Sequence, residues 1–190
     1  MITVTIILTS IGRNNFLQET FKSIEKQTIE PDELIFSENF VESPFNGKIP
    51  KVKSYKYMNQ NTRLSMVDHF NLCIESVTSD IFFFLCDDDL IDSNYIEKLK
   101  EAFSKNSIEA AIGKNSLIDV NGNFLHKERN FEAEYSPKEA IFKWLVPKNK
   151  FPVRTFISLA ARTKTFVGKK FPDYPHGAHM DNWFFSFLMK

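Results

Sequence analysis

The sequence holds only two cysteines, Cys73 and Cys86, in 190 residues. Their spacing fits neither a metal-binding nor a redox pair, so both read as reduced, buried, inert thiols, and the cytoplasm is the default compartment. Net charge is also missing: 24 basic side chains balance 24 acidic ones, so nothing global draws the chain toward nucleic acid or an anionic membrane. No apolar run is long enough to span a bilayer, and the apolar segment 4–8 lacks the basic lead-in and length of a secretory signal. Internal repeats and low-complexity tracts are absent. What is abundant is phenylalanine, with 20 copies, enough for an aromatic-rich core in a single domain spanning 1–190.

The chain is organised around Ile81-Phe82-Phe83-Phe84-Leu85-Cys86-Asp87-Asp88-Asp89. A short apolar run of this kind reads as a strand buried on both faces. Unpaired carboxylates are costly to bury, so the acids belong where the strand ends and a cleft begins. Three adjacent negative charges call for a cation between them, and a hard divalent ion with oxygen ligands is the usual one. The plainer reading is a solvated turn, with Asp92 or Ser93 capping the next helix.

Other segments supply the frame. Residues 4–8 are the first strand, and Thr9 to Asn14 a loop in which Gly12 is free to take positive φ. A helix over 15–27 carries Phe16, Leu17, Phe21 and Ile24 on one face. Residues 34–36 form the second strand, ending at Ser37-Glu38-Asn39, and 52–57 the third. Ser65 and Asp68 match a capping box that opens a helix with Met66, Phe70, Ile74 and Val77 inside. After the acids, Ile96, Leu99 and Phe103 mark another helix. A strand over 110–113, an Asn121-Gly122 hairpin, a helix start at Ser136 and a strand over 156–160 follow. Asp181 opens a last helix that is apolar almost all round, which suggests cover by a further segment or an oligomeric partner. Alternating strands and helices predict an α/β fold with a mostly parallel central sheet flanked by helices. Such sheets bind ligands beyond the carboxyl ends of their strands, where Thr9 to Arg13, Ser37 to Asn39 and Asp87 to Asp89 would converge.

Four stretches, in this order, resemble the family 2-type inverting glycosyltransferases with the A-type nucleotide-diphospho-sugar transferase fold, a family that includes many bacterial polysaccharide-synthesis enzymes. "VTIILTSIGRNNFL" is similar to that family's opening strand and loop, and "LIFSENF" to its strand ending in "DDGS" or "SDNAS". "DHFNLCIESVTSDIFFFLCDDDL" is similar to its helix and following "FLD-x-DD", and "FVGKKFPDYPHGAHMDNWFF" to its region bearing the catalytic base. The resemblance implies that residues 1–105 bind the nucleotide and 106–190 face the acceptor. It implies that Thr9, Ser10, Ile11 and Arg13 line the base and ribose pocket and that Glu38 accepts a hydrogen bond from the base. Arg63 would neutralise diphosphate, Asp87 would contact the nucleotide, and Asp88 and Asp89 would hold Mn²⁺ or Mg²⁺. Asp181 would be the general base. Ile11 stands where the family often has tyrosine, and Gly12 where it has asparagine. Aligning on Phe84-Leu85 puts Cys86 at the family's first aspartate.

The activity so implied is transfer of a sugar from a nucleotide-diphospho-sugar, with uridine diphosphate favoured, to a saccharide or lipid-linked acceptor. It would take place in the cytoplasm or at the inner face of the membrane. The stretch 148–170 has seven Lys or Arg and no acid, and reads as a solvated face or as a peripheral membrane contact. Two other functions stand beside this one. A haloacid-dehalogenase-type phosphatase also has an apolar strand ending in D-x-D, but near its first strand. A non-catalytic nucleotide-sugar-binding subunit would share the pocket without the chemistry. Asp181 alone would ordinarily be a helix cap.

Overall fold

The computed structural model describes residues 1–127, 134–136, 138–140 and 159–173. Its centre is a six-stranded sheet. Strands β1 (Val4–Ser10), β2 (Glu33–Glu38), β3 (Ser54–Asn59) and β4 (Ile81–Cys86) run parallel, in the order β3-β2-β1-β4. Beyond β4 the order continues through β8 (Leu159–Arg162), which is antiparallel both to β4 and to the edge strand β5 (Ala110–Ile112). Strands β6 (Ser116–Ile118) and β7 (Phe124–Lys127) form a separate hairpin.

The two central strands are buried along their length because both faces are covered. On one face, Ile6, Leu8, Phe83 and Leu85 pack against α1 (Asn14–Glu25) through Leu17, Phe21 and Ile24, and against α3 (Tyr95–Phe103) through Ile96, Leu99 and Phe103. On the other, Ile7, Phe82 and Phe84 meet Val67, Phe70 and Ile74 of α2 (Met66–Glu75). Phe70 stacks on Phe84 with ring centroids 4.7 Å apart.

Several sequence expectations shift by a residue or more. β1 continues to Ser10, so Thr9 and Ser10 belong to the strand rather than to the loop. β3 starts two residues later than expected, at Ser54. Phe16 and Met66, expected inside, are exposed at the first turns of their helices, whereas Thr20 and Val67 are buried. The capping box at Ser65 forms: its hydroxyl accepts the Asp68 N–H at 3.1 Å. Neither Asp92 nor Ser93 caps α3 with its side chain. Asn94 is the N-cap without a side-chain bond, and the Asp92 carbonyl accepts from Tyr95 N–H at 2.9 Å and Gln27 Nε2 at 2.8 Å. The carboxyl end of α3 is closed by the buried Arg162 of β8. Its guanidinium donates to the carbonyls of Phe103 at 2.9 Å, Lys105 at 3.1 Å and Ile108 at 2.7 Å.

The chain winds outward from β1 through β2 to β3, then crosses back to place β4 on the other side of β1. That reversal makes a crevice between the carboxyl ends of β1 and β4, the place where open α/β sheets take ligands. The expected strand residues 156–158 and the C-terminal helix with Asp181 lie outside the described residues.

Candidate active site

At the crevice, Thr9 pairs in register with Cys86, and Ser10 with Glu38. The acidic run therefore leaves β4 beside the loop after β1, with the loop after β2 on the far side of β1. Its three carboxylates are treated differently. Asp87 is fully buried. One of its oxygens accepts from Ser10 Oγ at 2.7 Å, and the other from Arg13 Nη2 at 2.6 Å. The other arm of Arg13, Nη1, reaches Asp88 at 2.9 Å. Burial alone lowers the guanidinium pKa, but the hydrogen bond to Asp87 and the charges of Asp87 and Asp88 outweigh it and leave it raised. Part of the cation that the acidic run requires is thus this arginine. Thr20 of α1 donates to the Asp87 carbonyl at 3.3 Å, which fixes the turn from below.

The remaining acids face a thiol. Ligand atoms of Cys86, Asp88 and Asp89 lie within 4.8 Å of one another. Two carboxylates suit Mg²⁺ or Mn²⁺, and the adjoining sulfur softens the set toward Mn²⁺. The residues fit a divalent ion. Burial, then the charge of Asp88, pushes Asp89 up to about 6, and burial, then Asp89, pushes Cys86 up to about 12. Burial comes first in both because it disfavours the charged form, and the neighbouring carboxylates add to it. Cys86 is thus only half-buried and sits among the acids, unlike Cys73, which is the buried core thiol expected of both.

Gly12 takes a φ of +89°, and a Cβ there would meet Val41 Cγ1 at 3.3 Å, so the loops after β1 and β2 touch. Glu38 is fully buried. Its carboxylate accepts from Tyr57 Oη at 2.6 Å and from the Phe45 N–H at 3.2 Å. Burial, then that bond, raises the Tyr57 pKa. Glu38 therefore anchors the loop after β2. Beside it, Ser37 Oγ and His69 Nε2 are hydrogen-bonded at 2.7 Å, and burial lowers His69 to about 4.

The sequence profile of glycosyl transferase family 2 matches residues 5–164. The chain belongs to that family. No curated protein matches it in sequence. Among solved structures, this family 2 chain is similar to S. aureus TarS 1–349, with a TM-score of 0.74 at 14% identity, covering 98% of the chain and 55% of that structure. TarS 1–349 in complex with UDP-GlcNAc gives 0.71 at 13%, covering 98% and 53%. The complex with UDP gives 0.71 at 14%, covering 98% and 55%. The likeness shows the A-type fold, and the chain spans about half the length of those structures. The phosphatase alternative falls with the family assignment and with the topology: the acidic strand is the fourth in the chain, not the first.

Of the residues singled out from the sequence, the fold brings together Ser10, Arg13, Asp87, Asp88 and Asp89. Thr9 is buried in β1, Ile11 is exposed on the adjoining loop, and Arg63 is exposed beside Leu64, whose backbone pairs with Asn39. Asp181 lies outside the described residues. In the basic stretch 148–170, all four described cations have partners in the chain: Arg162 caps α3, Lys164 and Lys170 pair with Glu109 and Glu75, and Lys169 donates to the Thr165 carbonyl. No helix among the described residues is long and apolar enough to cross a membrane.

Proposed function

We propose that the chain binds a nucleotide-diphospho-sugar over the carboxyl ends of β1, β2 and β4 and transfers the sugar, with inversion, to an acceptor hydroxyl. The observation that carries this reading is the fork of Arg13 across Asp87 and Asp88 at the topological switch point. Beside it, Cys86, Asp88 and Asp89 offer a donor set for Mn²⁺ or Mg²⁺. A divalent ion there supplies Lewis acidity toward the departing diphosphate. Arg13, half-exposed, adds a second positive charge on the same side, and Arg63 a third at the rim. Thr9, Ser10 and Ile11 line the nucleoside side, and Glu38 fixes the loop that closes it. The TarS complexes with UDP and UDP-GlcNAc favour a uridine donor.

The acceptor hydroxyl must lose its proton as it attacks, and Asp181 is assigned as the general base. Residues 106–190 then form the acceptor side, for a saccharide or lipid-linked acceptor in cell-surface glycoconjugate synthesis. The test is a thermal-shift panel of nucleotide sugars with Mn²⁺, with Mg²⁺ and with chelator, followed by transfer assays on the ligand that binds. UDP-sugars with Mn²⁺ should raise the Tm most. Asp88→Ala should fold normally and lose the metal enhancement. Asp181→Asn should bind donor normally and lower transfer by roughly two to four orders of magnitude. Equal nucleotide affinity with and without chelator overturns the metal assignment, and parental transfer by Asp181→Asn overturns the base.

A further inference from the structure

Among the described residues, one amino acid other than glycine has positive φ: Phe40, at 58°. That region crowds Cβ against the following carbonyl oxygen, and a bulky ring there is a true outlier. Such a conformation persists only where the surroundings dictate it. Here both neighbours are clamped. On one side, Asn39 Nδ2 donates to the Leu64 carbonyl at 3.0 Å, Leu64 N–H donates back to Asn39 Oδ1 at 2.9 Å, and Asn39 N–H donates to the Ser10 carbonyl at 2.9 Å. On the other, Val41 N–H donates to Asn59 Oδ1 at 3.1 Å, and Asn59 Nδ2 donates to the Val41 carbonyl at 2.9 Å. Two asparagine side chains thus hold a strained residue from before and behind.

The strain is not offset by burial. Phe21 and Phe36, in the core below, are about 1% exposed or less, whereas Phe40 keeps 46% of its surface in solvent. A turn that needed only positive φ would be better served by glycine or asparagine. Phe40 lies two residues past the strand position that pairs with Ser10, on the loop whose Val41 abuts Gly12. The neighbouring loop carries Ile11, 55% exposed, which offers apolar surface but no π face.

Resting on the donor-binding reading above, we propose that Phe40 is the aromatic platform on which the nucleobase of the nucleoside diphosphate stacks, set there by the Asn39–Leu64 and Asn59–Val41 clamps. Every base has a π face, so the platform supplies affinity for a nucleoside over a bare diphosphate, while hydrogen bonds elsewhere choose the base.

The test is calorimetry of the full chain with UDP and Mn²⁺, with inorganic pyrophosphate titrated as a competitor, for the parent, Phe40→Ala, Phe40→Trp and Phe40→Gly. Phe40→Ala should weaken UDP about tenfold and leave the pyrophosphate inhibition constant unchanged. Phe40→Trp should keep parental UDP affinity. Phe40→Gly should lose UDP affinity as Phe40→Ala does while melting at or above the parental Tm, because glycine relieves the strained φ. Unchanged UDP affinity in Phe40→Ala overturns the stacking role and leaves the donor reading intact. An equal fall in UDP and pyrophosphate affinity also overturns it, since the residue would then act through the fold. A parent that binds no nucleoside diphosphate overturns both.

Discussion

His69 sits on α2 with its ring against Ser37, buried in the layer beneath the β2 loop. Its neighbour Cys73 stays a neutral thiol, pushed up to about 11 by burial. Burial also holds His69 neutral, down to about pH 4, against 6.5 for a free imidazole. Between those values the unfolded chain binds a proton that the folded chain refuses, so stability falls as pH drops from 6.5 toward 4. The loss from this one group is on the order of 3 kcal/mol at the acid end. Urea denaturation across that window should show it, and His69→Gln should flatten the dependence; an unchanged slope in the variant would remove His69 from the account. Nothing in the sequence pointed to this residue, because its partner lies 32 positions away on another element. The acidic run was different. Aspartates after a buried strand are legible as a site from residue type alone, but which of them a protein cation would neutralise was not: Arg13 and Asp87 are 74 residues apart and meet only because β4 returns beside β1.

Among the elements, α3 shows how a helix can depend on a distant strand. No side chain caps its amino end, and its carboxyl end is closed by Arg162, which also lies 5.4 Å from the centre of the Phe103 ring. Arg162→Met keeps much of the bulk and removes the donors to three carbonyls. The expected cost is about 2–4 kcal/mol, since a buried acceptor left unsatisfied costs more than an average hydrogen bond returns. A circular-dichroism melt reads it, and an unaltered Tm would show that water replaces the arginine. The helices themselves were legible from 3.6-residue periodicity, and β1 and β4 from unbroken apolar runs. Strand ends were less so. Ser37-Glu38 and Thr9-Ser10 look like loop residues by composition, yet they continue the ladder because neighbouring strands hold their backbones in register. Sheet pairing overrides local propensity there.

For the whole molecule, α/β class and the parallel half of the sheet followed from the alternation of elements, whereas the insertion of β8 did not. A late strand was expected over 156–160, which takes in Leu159 and Ala160 of β8, and no periodicity tells a strand that it will run antiparallel between two earlier ones. The insertion has a consequence for how the chain is made. The first four strands are complete once residue 86 is synthesised, but among the described residues β4 gains its outer neighbour, and β5 its partner, with the strand Leu159–Arg162. During synthesis the Phe-rich edge of Ile81–Cys86 therefore waits uncovered while some seventy residues emerge, which at about 5–20 residues per second is several seconds. An open apolar edge is a template for pairing with other chains. A nascent chain arrested before Leu159 should aggregate or be held by a chaperone, whereas one arrested well past Arg162 should stay soluble. Pelleting of stalled ribosome complexes at the two lengths would separate these fates, and equal solubility would mean that something other than β8 shields the edge while translation proceeds.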